Sequence, residues 1–295
     1  MKKLVYTGSG VALVTPMHKD GSINYEKFGE LIEFQISHGT DAIIACATTG
    51  ESPVLNHEEH CKALEYVIQK VNKRVPVIAS TGSNDTAYAV QLSQEAERMG
   101  ADALLSVTPY YNKTSQAGLV RHYTYIADRV NLPIIVYNVP SRTGCNIKPE
   151  TYLELSKHPN LNAVKEANGD ISSVAKTIAL CGDDFYVYSG NDDQTLPMLP
   201  LGGKGVISVF ANVLPQEMHD LCASFLSGDA AKSRELTLKY VELMNALFMD
   251  VNPIPVKAAM NEMGFDVGDC RLPLTTMSEA ALNQLREVLK KYQLI

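Results

Sequence analysis

The chain is short of the features that mark several large functional classes. Its six cysteines, at 46, 61, 145, 181, 222 and 270, form no CxxC pair and no metal-ligand spacing. They read as reduced packing residues in a cytoplasmic protein rather than as a disulfide framework or a zinc knuckle. No apolar run approaches the length needed to span a bilayer. The opening Met1-Lys2-Lys3-Leu4-Val5-Tyr6 starts like a signal peptide, but Thr7-Gly8-Ser9-Gly10 interrupts it before an apolar region develops. Positive charge is in deficit: the net charge is -7, which argues against nucleic acid or an anionic membrane as partner. There is no low-complexity tract and no proline- or serine-rich linker. The first strand is followed by no Gly-rich dinucleotide fingerprint, and Gly202-Gly203-Lys204-Gly205 lacks the Walker spacing.

What is present is alternation. Short apolar, β-branched runs occur at 11–15, 42–47, 75–80, 103–107, 133–139, 163–166, 186–189 and 205–209. Nearly continuous apolar runs of this kind suit parallel strands covered on both faces. Between them lie amphipathic stretches at 25–38, 57–72, 86–99, 115–129, 149–157 and 172–180, with Gly39, Gly100 and Gly182 where helices should stop. This succession predicts a closed (β/α)8 barrel of the TIM type rather than an open doubly wound sheet. From Pro215 to Ile295 the pattern is almost wholly helical. The expected division is a barrel over 1–224 and a helical C-terminal domain over 225–295.

In such barrels the site collects at the C-terminal ends of the strands. Those ends carry Thr48-Thr49-Gly50-Glu51-Ser52, Thr108-Pro109-Tyr110-Tyr111-Asn112, Tyr137–Gly144, Lys165-Glu166, Ser189-Gly190-Asn191-Asp192 and Ile207-Ser208. Lys165 is the most telling of these residues. A lysine inside an apolar strand costs desolvation, which lowers its pKa and frees a neutral amine to attack a ketone. The alternative is a strand-end lysine with its head in water. A tyrosine near the amine, with a threonine relay, suits the proton transfers of Schiff-base formation. Arg142 offers a two-pronged fork for a carboxylate. Each signal has a plainer reading alone: tyrosines pack, Thr48-Thr49 can cap a helix, and Arg142 can be a surface loop residue.

Other features are set aside. His57 and His60, at i,i+3, share a helix face but lack the zincin spacing and a third ligand, so no metal is expected. Asn56 as N-cap with acids in the first turn accounts for that segment. Asp192-Asp193 reads as a solvated cap. Lys257, the rival nucleophile, stands at a helix start after two prolines and is expected at the surface.

Taken together, the strand-end motifs, with Asn252-Pro253-Ile254-Pro255-Val256-Lys257 and Arg271-Leu272-Pro273-Leu274, resemble the dihydrodipicolinate synthase family along essentially the whole chain. The resemblance implies a lyase that condenses pyruvate with L-aspartate 4-semialdehyde, without metal or organic cofactor, in the diaminopimelate route to lysine. It implies that Lys165 forms the Schiff base and that Tyr137 transfers protons. Thr48 links Tyr137 to Tyr111, which reaches into a neighbouring subunit's site. Thr49 holds the pyruvate carboxylate, Arg142 binds the second substrate's carboxylate, and Gly190 and Ile207 line the pocket. A homotetramer of tight dimers is implied as well. Ser52, Pro53, His57, His60, Asn84, Tyr88 and Tyr110 correspond to the family's cleft for inhibitory lysine. Tyr88 stands where lysine-sensitive members carry a glutamate and Pro53 where they carry a small residue, so feedback by lysine is expected to be weak or absent. The competing expectations are a sibling pyruvate aldolase, against which Arg142 speaks, and a barrel that has lost catalysis and serves as a keto-acid sensor or structural subunit.

Overall fold

A computed structural model describes residues 2–295. Eight parallel strands close on themselves in sequence order, the last pairing with the first. The chain runs β1 (Gly8–Ala12), α1 (Tyr25–Ser37), β2 (Ala42–Ala45), α2 (His57–Val71), β3 (Val77–Ser80), α3 (Thr86–Met99) and β4 (Ala103–Val107). It continues α4 (Gln116–Ala127), β5 (Ile134–Asn138), the short α5 (Pro140–Thr143), α6 (Pro149–Leu155), β6 (Leu161–Glu166) and α7 (Ile171–Cys181). β7 (Tyr186–Ser189), the short α8 (Thr195–Met198) and β8 (Gly205–Ser208) complete the barrel. Four helices follow: α9 (Pro215–Leu226), α10 (Ala230–Ala246), α11 (Ile254–Glu262) and α12 (Glu279–Lys291). This is the (β/α)8 barrel the alternation predicts. Among the described residues no helix is long and apolar enough to cross a membrane.

The helices begin and end for local reasons. Asn56 and Glu59 form a reciprocal capping box at the start of α2, the Asn56 side chain accepting from Glu59 N–H and the Glu59 carboxylate from Asn56 N–H. Asp85 caps α3 through Ala87 N–H. Gly100 ends α3 at φ +93°, a conformation most side chains disfavour.

The structure moves β1 three residues earlier than its apolar run suggests. Glycines ordinarily mark loops, but here they are strand residues because nothing larger fits. A Cβ on Gly8 would lie 2.1 Å from Asp41 Oδ2, and one on Gly10 2.6 Å from the Tyr6 hydroxyl. Tyr6 stacks on Tyr188 at 4.6 Å between ring centroids. Its hydroxyl donates to Val206 O, and that of Tyr188 donates to Tyr6 O. The pair plugs the N-terminal end of the barrel.

The C-terminal stretch is less uniformly helical than its pattern suggests. Residues 264–277 form an irregular strap, and this strap fixes Lys257. Contrary to the sequence expectation, Lys257 is fully buried, at 1% exposure. Its ammonium donates to Glu51 Oε1 at 2.8 Å, Asp269 O at 2.7 Å and Thr15 O at 3.2 Å, which uses all three of its protons. The other Glu51 oxygen accepts from Arg271 N–H. Two prolines say where a helix starts, not what packs over it; here the strap does. The ion pair ties the loop after β2 to the C-terminal segment.

Candidate active site

Tyr137 and Lys165 lie side by side on β5 and β6. Side chains alternate along a strand, so Lys165 points into the barrel and Glu166 away from it. Glu166 meets Tyr152 Oη at 2.7 Å and Asn138 Nδ2 at 2.9 Å. Burial pushes its carboxyl up to about 7. Lys165 is 4% exposed. Its ammonium sits 4.4 Å from the centre of the Tyr137 ring. Among the described residues no carboxylate lies within ion-pairing distance of it, whereas Lys257 is locked to Glu51. Burial is the main cause that brings the Lys165 amine down from 10.5 to about 7; the nearby Asp192 opposes the fall and the Arg142 charge adds to it. A substantial share of the amine is therefore uncharged at neutral pH. Of the two buried lysines, the geometry leaves only Lys165 free to act as a nucleophile.

Lys165 opens into a cavity of about 150 Å³ bordered by Thr48, Thr49, Tyr137, Arg142, Gly190 and Asn252, among others. Burial raises the pKa of the Tyr137 hydroxyl, and Thr48 beside it is among the groups that oppose the rise. Gly190 is required here, since a Cβ would meet Ala167 Cβ at 2.7 Å. Val209 of the loop after β8 borders the cavity, and Ile207, two residues earlier, is buried in the barrel interior with Tyr137. Arg142 lies on α5 with its side chain toward solvent at the rim, donating from Nη2 to Asn252 O at 3.2 Å.

Two residues of the site were given no role there from the sequence. Asn252 comes from the segment before α11; its Nδ2 donates to Thr49 Oγ1 at 3.1 Å, and its buried Oδ1 has no partner. It thus touches both a threonine and an arginine of the mouth. Its position before Pro253 in a polar break between helices was the available signal. Asp192 is the other. It is buried rather than a solvated cap, and its Oδ2 accepts from the N–H groups of Val209 and Phe210. The strand-end turn needs those two amides satisfied, so the carboxylate is drawn inward toward Lys165; Asp193 alone faces water.

Tyr111 stands apart from the other expected catalytic residues. It is 91% exposed, at φ +70°, on the loop after β4. Of the expected lysine cleft, Ser52, Pro53, His60, Tyr88 and Tyr110 border one cavity of about 400 Å³ that also reaches Thr48 and Tyr137. Asn84 borders a neighbouring depression with Asn112. His57 lies outside the cavity and meets it only through Tyr88, Nδ1 to Oη at 3.4 Å. His60 turns from His57 to the barrel, its Nε2 at 2.9 Å from Ser80 O, and burial lowers its pKa to about 4.

Residues 5–292 match the dihydrodipicolinate synthetase family. The chain is 55% identical over 295 residues, the whole of both chains, to 4-hydroxy-tetrahydrodipicolinate synthase of Acetivibrio thermocellus. It is 56% identical over 292 residues to the enzyme of that name from a Thermoanaerobacter species, spanning 99% of this chain and 98% of the other. Among solved structures, dihydrodipicolinate synthase of Thermotoga maritima superposes with a TM-score of 0.96 at 45% identity, covering 99% of this chain and 100% of its own. The Cyanidioschyzon merolae protein, solved with lysine bound, gives 0.96 at 37% identity with the same coverage. Sequence and architecture agree from end to end, and the chain belongs to the dihydrodipicolinate synthetase family.

Proposed function

We infer that this protein is a 4-hydroxy-tetrahydrodipicolinate synthase, a lyase that condenses pyruvate with L-aspartate 4-semialdehyde on the diaminopimelate route to lysine. The observation that carries the reading is the Lys165 amine: buried, without a carboxylate partner, held near 7 and set against Tyr137.

The neutral amine adds to the keto carbon of pyruvate, and the carbinolamine loses water to give the iminium. Tyr137 delivers and removes the protons, with Thr48 on its hydroxyl as relay. Tyr111, which points to solvent in one protomer, completes the relay from a second copy; the proposed tight dimer follows from that, and two dimers form the tetramer. Thr49, oriented by Asn252, holds the pyruvate carboxylate, with the backbone at Gly190 and Ile207 closing the pocket. The iminium loses a proton from the pyruvate methyl carbon and becomes an enamine, with the protonated nitrogen as electron sink, so the reading invokes no metal or cofactor. The enamine attacks the aldehyde while Arg142 at the rim holds the second substrate's carboxylate. That substrate's amine then adds to the iminium carbon and expels Lys165, closing the ring.

The reading includes a cytoplasmic location and the division into barrel (1–224) and C-terminal helical domain (225–295). It also includes weak or absent feedback by lysine through the Ser52, His57, His60, Asn84, Tyr88 and Tyr110 cleft. The Tyr88 phenol carries no charge at neutral pH to pair with an amino group.

The test is pyruvate-dependent consumption of aspartate 4-semialdehyde, coupled to an NADPH-linked reductase, with Lys165→Ala alongside. Turnover that vanishes in the variant is expected. If the wild type does not turn over but borohydride with pyruvate still traps a covalent adduct, the protein is an aldolase for another aldehyde.

A further inference from the structure

α2 and α3 lie side by side on the outside of the barrel, and they bring Glu95 to two ligating groups of α2, the nearer of which, Cys61, is 34 residues away in sequence. His57 and Cys61 are i,i+4 neighbours on α2, and Glu95 projects from α3. The i,i+3 pairing of His57 with His60 that the sequence suggests is the wrong one, because His60 faces the barrel; the third ligand comes from another helix. His57 Nε2 and Glu95 Oε2 are 3.3 Å apart, Cys61 Sγ and Glu95 Oε2 3.2 Å, and Cys61 Sγ and His57 Nε2 3.8 Å.

We propose that His57 Nε2, the Cys61 thiolate and Glu95 Oε2 bind a Zn²⁺ ion on the α2–α3 surface, with water in the fourth position. The spacing fits the ion. With Zn–N and Zn–O near ~2.1 Å and Zn–S near ~2.3 Å, tetrahedral angles set nitrogen and oxygen about 3.4 Å apart and sulfur about 3.6 Å from either. The three observed separations are close to those values, so the groups already form one face of the tetrahedron without a change of backbone.

The surroundings fit as well. A ligating histidine commonly donates its other ring nitrogen to a second group, and His57 Nδ1 faces the Tyr88 hydroxyl at 3.4 Å. With Nδ1 donating there, the Nε2 lone pair is left for the metal, which would displace the Gln91 Nε2 now 3.4 Å from it. The Glu95 carboxylate divides its oxygens: Oε1 is taken by Gln91 Nε2 at 3.4 Å and Arg98 Nη2 at 3.9 Å, leaving Oε2 turned to the site. Thiolate and carboxylate together balance the two charges of the ion. The thiol proton leaves to solvent as the Zn–S bond forms, and no redox step is involved. All three residues are partly exposed, so an ion reaches them from water. The same bonds would pin α2 to α3 beside the cavity that Tyr88 borders.

Co²⁺ is the probe, because a thiolate ligand gives it a near-ultraviolet charge-transfer band. Chelator-treated protein titrated with Co²⁺ should develop that band with one equivalent per chain, and equimolar Zn²⁺ should bleach it. Cys61→Ser should abolish the band, Glu95→Gln should weaken Co²⁺ binding at least tenfold, and Cys270→Ser should leave both unchanged. Circular dichroism confirms that each variant is folded. No thiolate band in the wild type, or one that survives in Cys61→Ser, overturns the proposal.

Discussion

Replacing the proposed nucleophile should make the protein more stable. In the unfolded chain the Lys165 amine has its ordinary value of 10.5, and in the folded protein burial brings it to about 7. Between those values the unfolded chain holds a proton that the folded protein has shed, so stability rises with pH across that window. The penalty is fully present below pH 7 and vanishes as pH approaches 10.5. At ~1.4 kcal/mol per pKa unit it amounts to about 4 kcal/mol at pH 7 and about 2 kcal/mol at pH 9. Lys165→Met keeps an unbranched side chain in the same space and carries no charge. Urea unfolding of wild type and variant, followed by circular dichroism because the chain has no tryptophan, gives the difference at each pH. The variant should be the more stable by roughly that 4 kcal/mol at pH 7, with the gap about halved at pH 9. A variant no more stable than wild type at pH 7, or a gap that does not change with pH, refutes the reasoning.

Lys257→Met should do the opposite, since it strands the buried Glu51 carboxylate. The expected loss is about 3–5 kcal/mol in urea unfolding, most of it recovered in the Glu51→Gln/Lys257→Met double variant; a loss under about 1 kcal/mol in the single variant would show that the pair is solvated. Arg142→Ala should raise KM for aspartate 4-semialdehyde by tenfold or more and leave borohydride trapping of pyruvate intact. Loss of trapping would move Arg142 to the first substrate. Activity titrated with lysine should change little, and strong inhibition at sub-millimolar concentration would return the cleft to the regulated type despite Tyr88.

Fold and site differ in how far they can be read from the sequence, for reasons visible at single residues. The strands after the first stand out because burial on both faces makes most of their positions apolar; β4 and β7 fall where their runs lie. β1 is displaced because its glycines look like a loop until Asp41 and Tyr6 are seen filling the space a side chain would need. Lys165 is legible because a charge in an apolar strand is a local anomaly. Lys257, Asp192 and Asn252 are not, because what buries them arrives from elsewhere in the chain: the 264–277 strap, the β8 turn and the mouth itself. The meeting of His57, Cys61 and Glu95 depends on how two helices pack side by side, which no spacing along either one encodes.

The tyrosine plug at the N-terminal end of the barrel also has a kinetic consequence. With Tyr6 stacked on Tyr188 below, the Lys165 cavity opens among the C-terminal ends of the strands, with Arg142 on its border. Arg142 is exposed at the rim of that cavity while Lys165 is buried in it. If Arg142 holds the aldehyde substrate's carboxylate as proposed, the keto acid should load first and the aldehyde second, and steady-state kinetics should show an obligatory order.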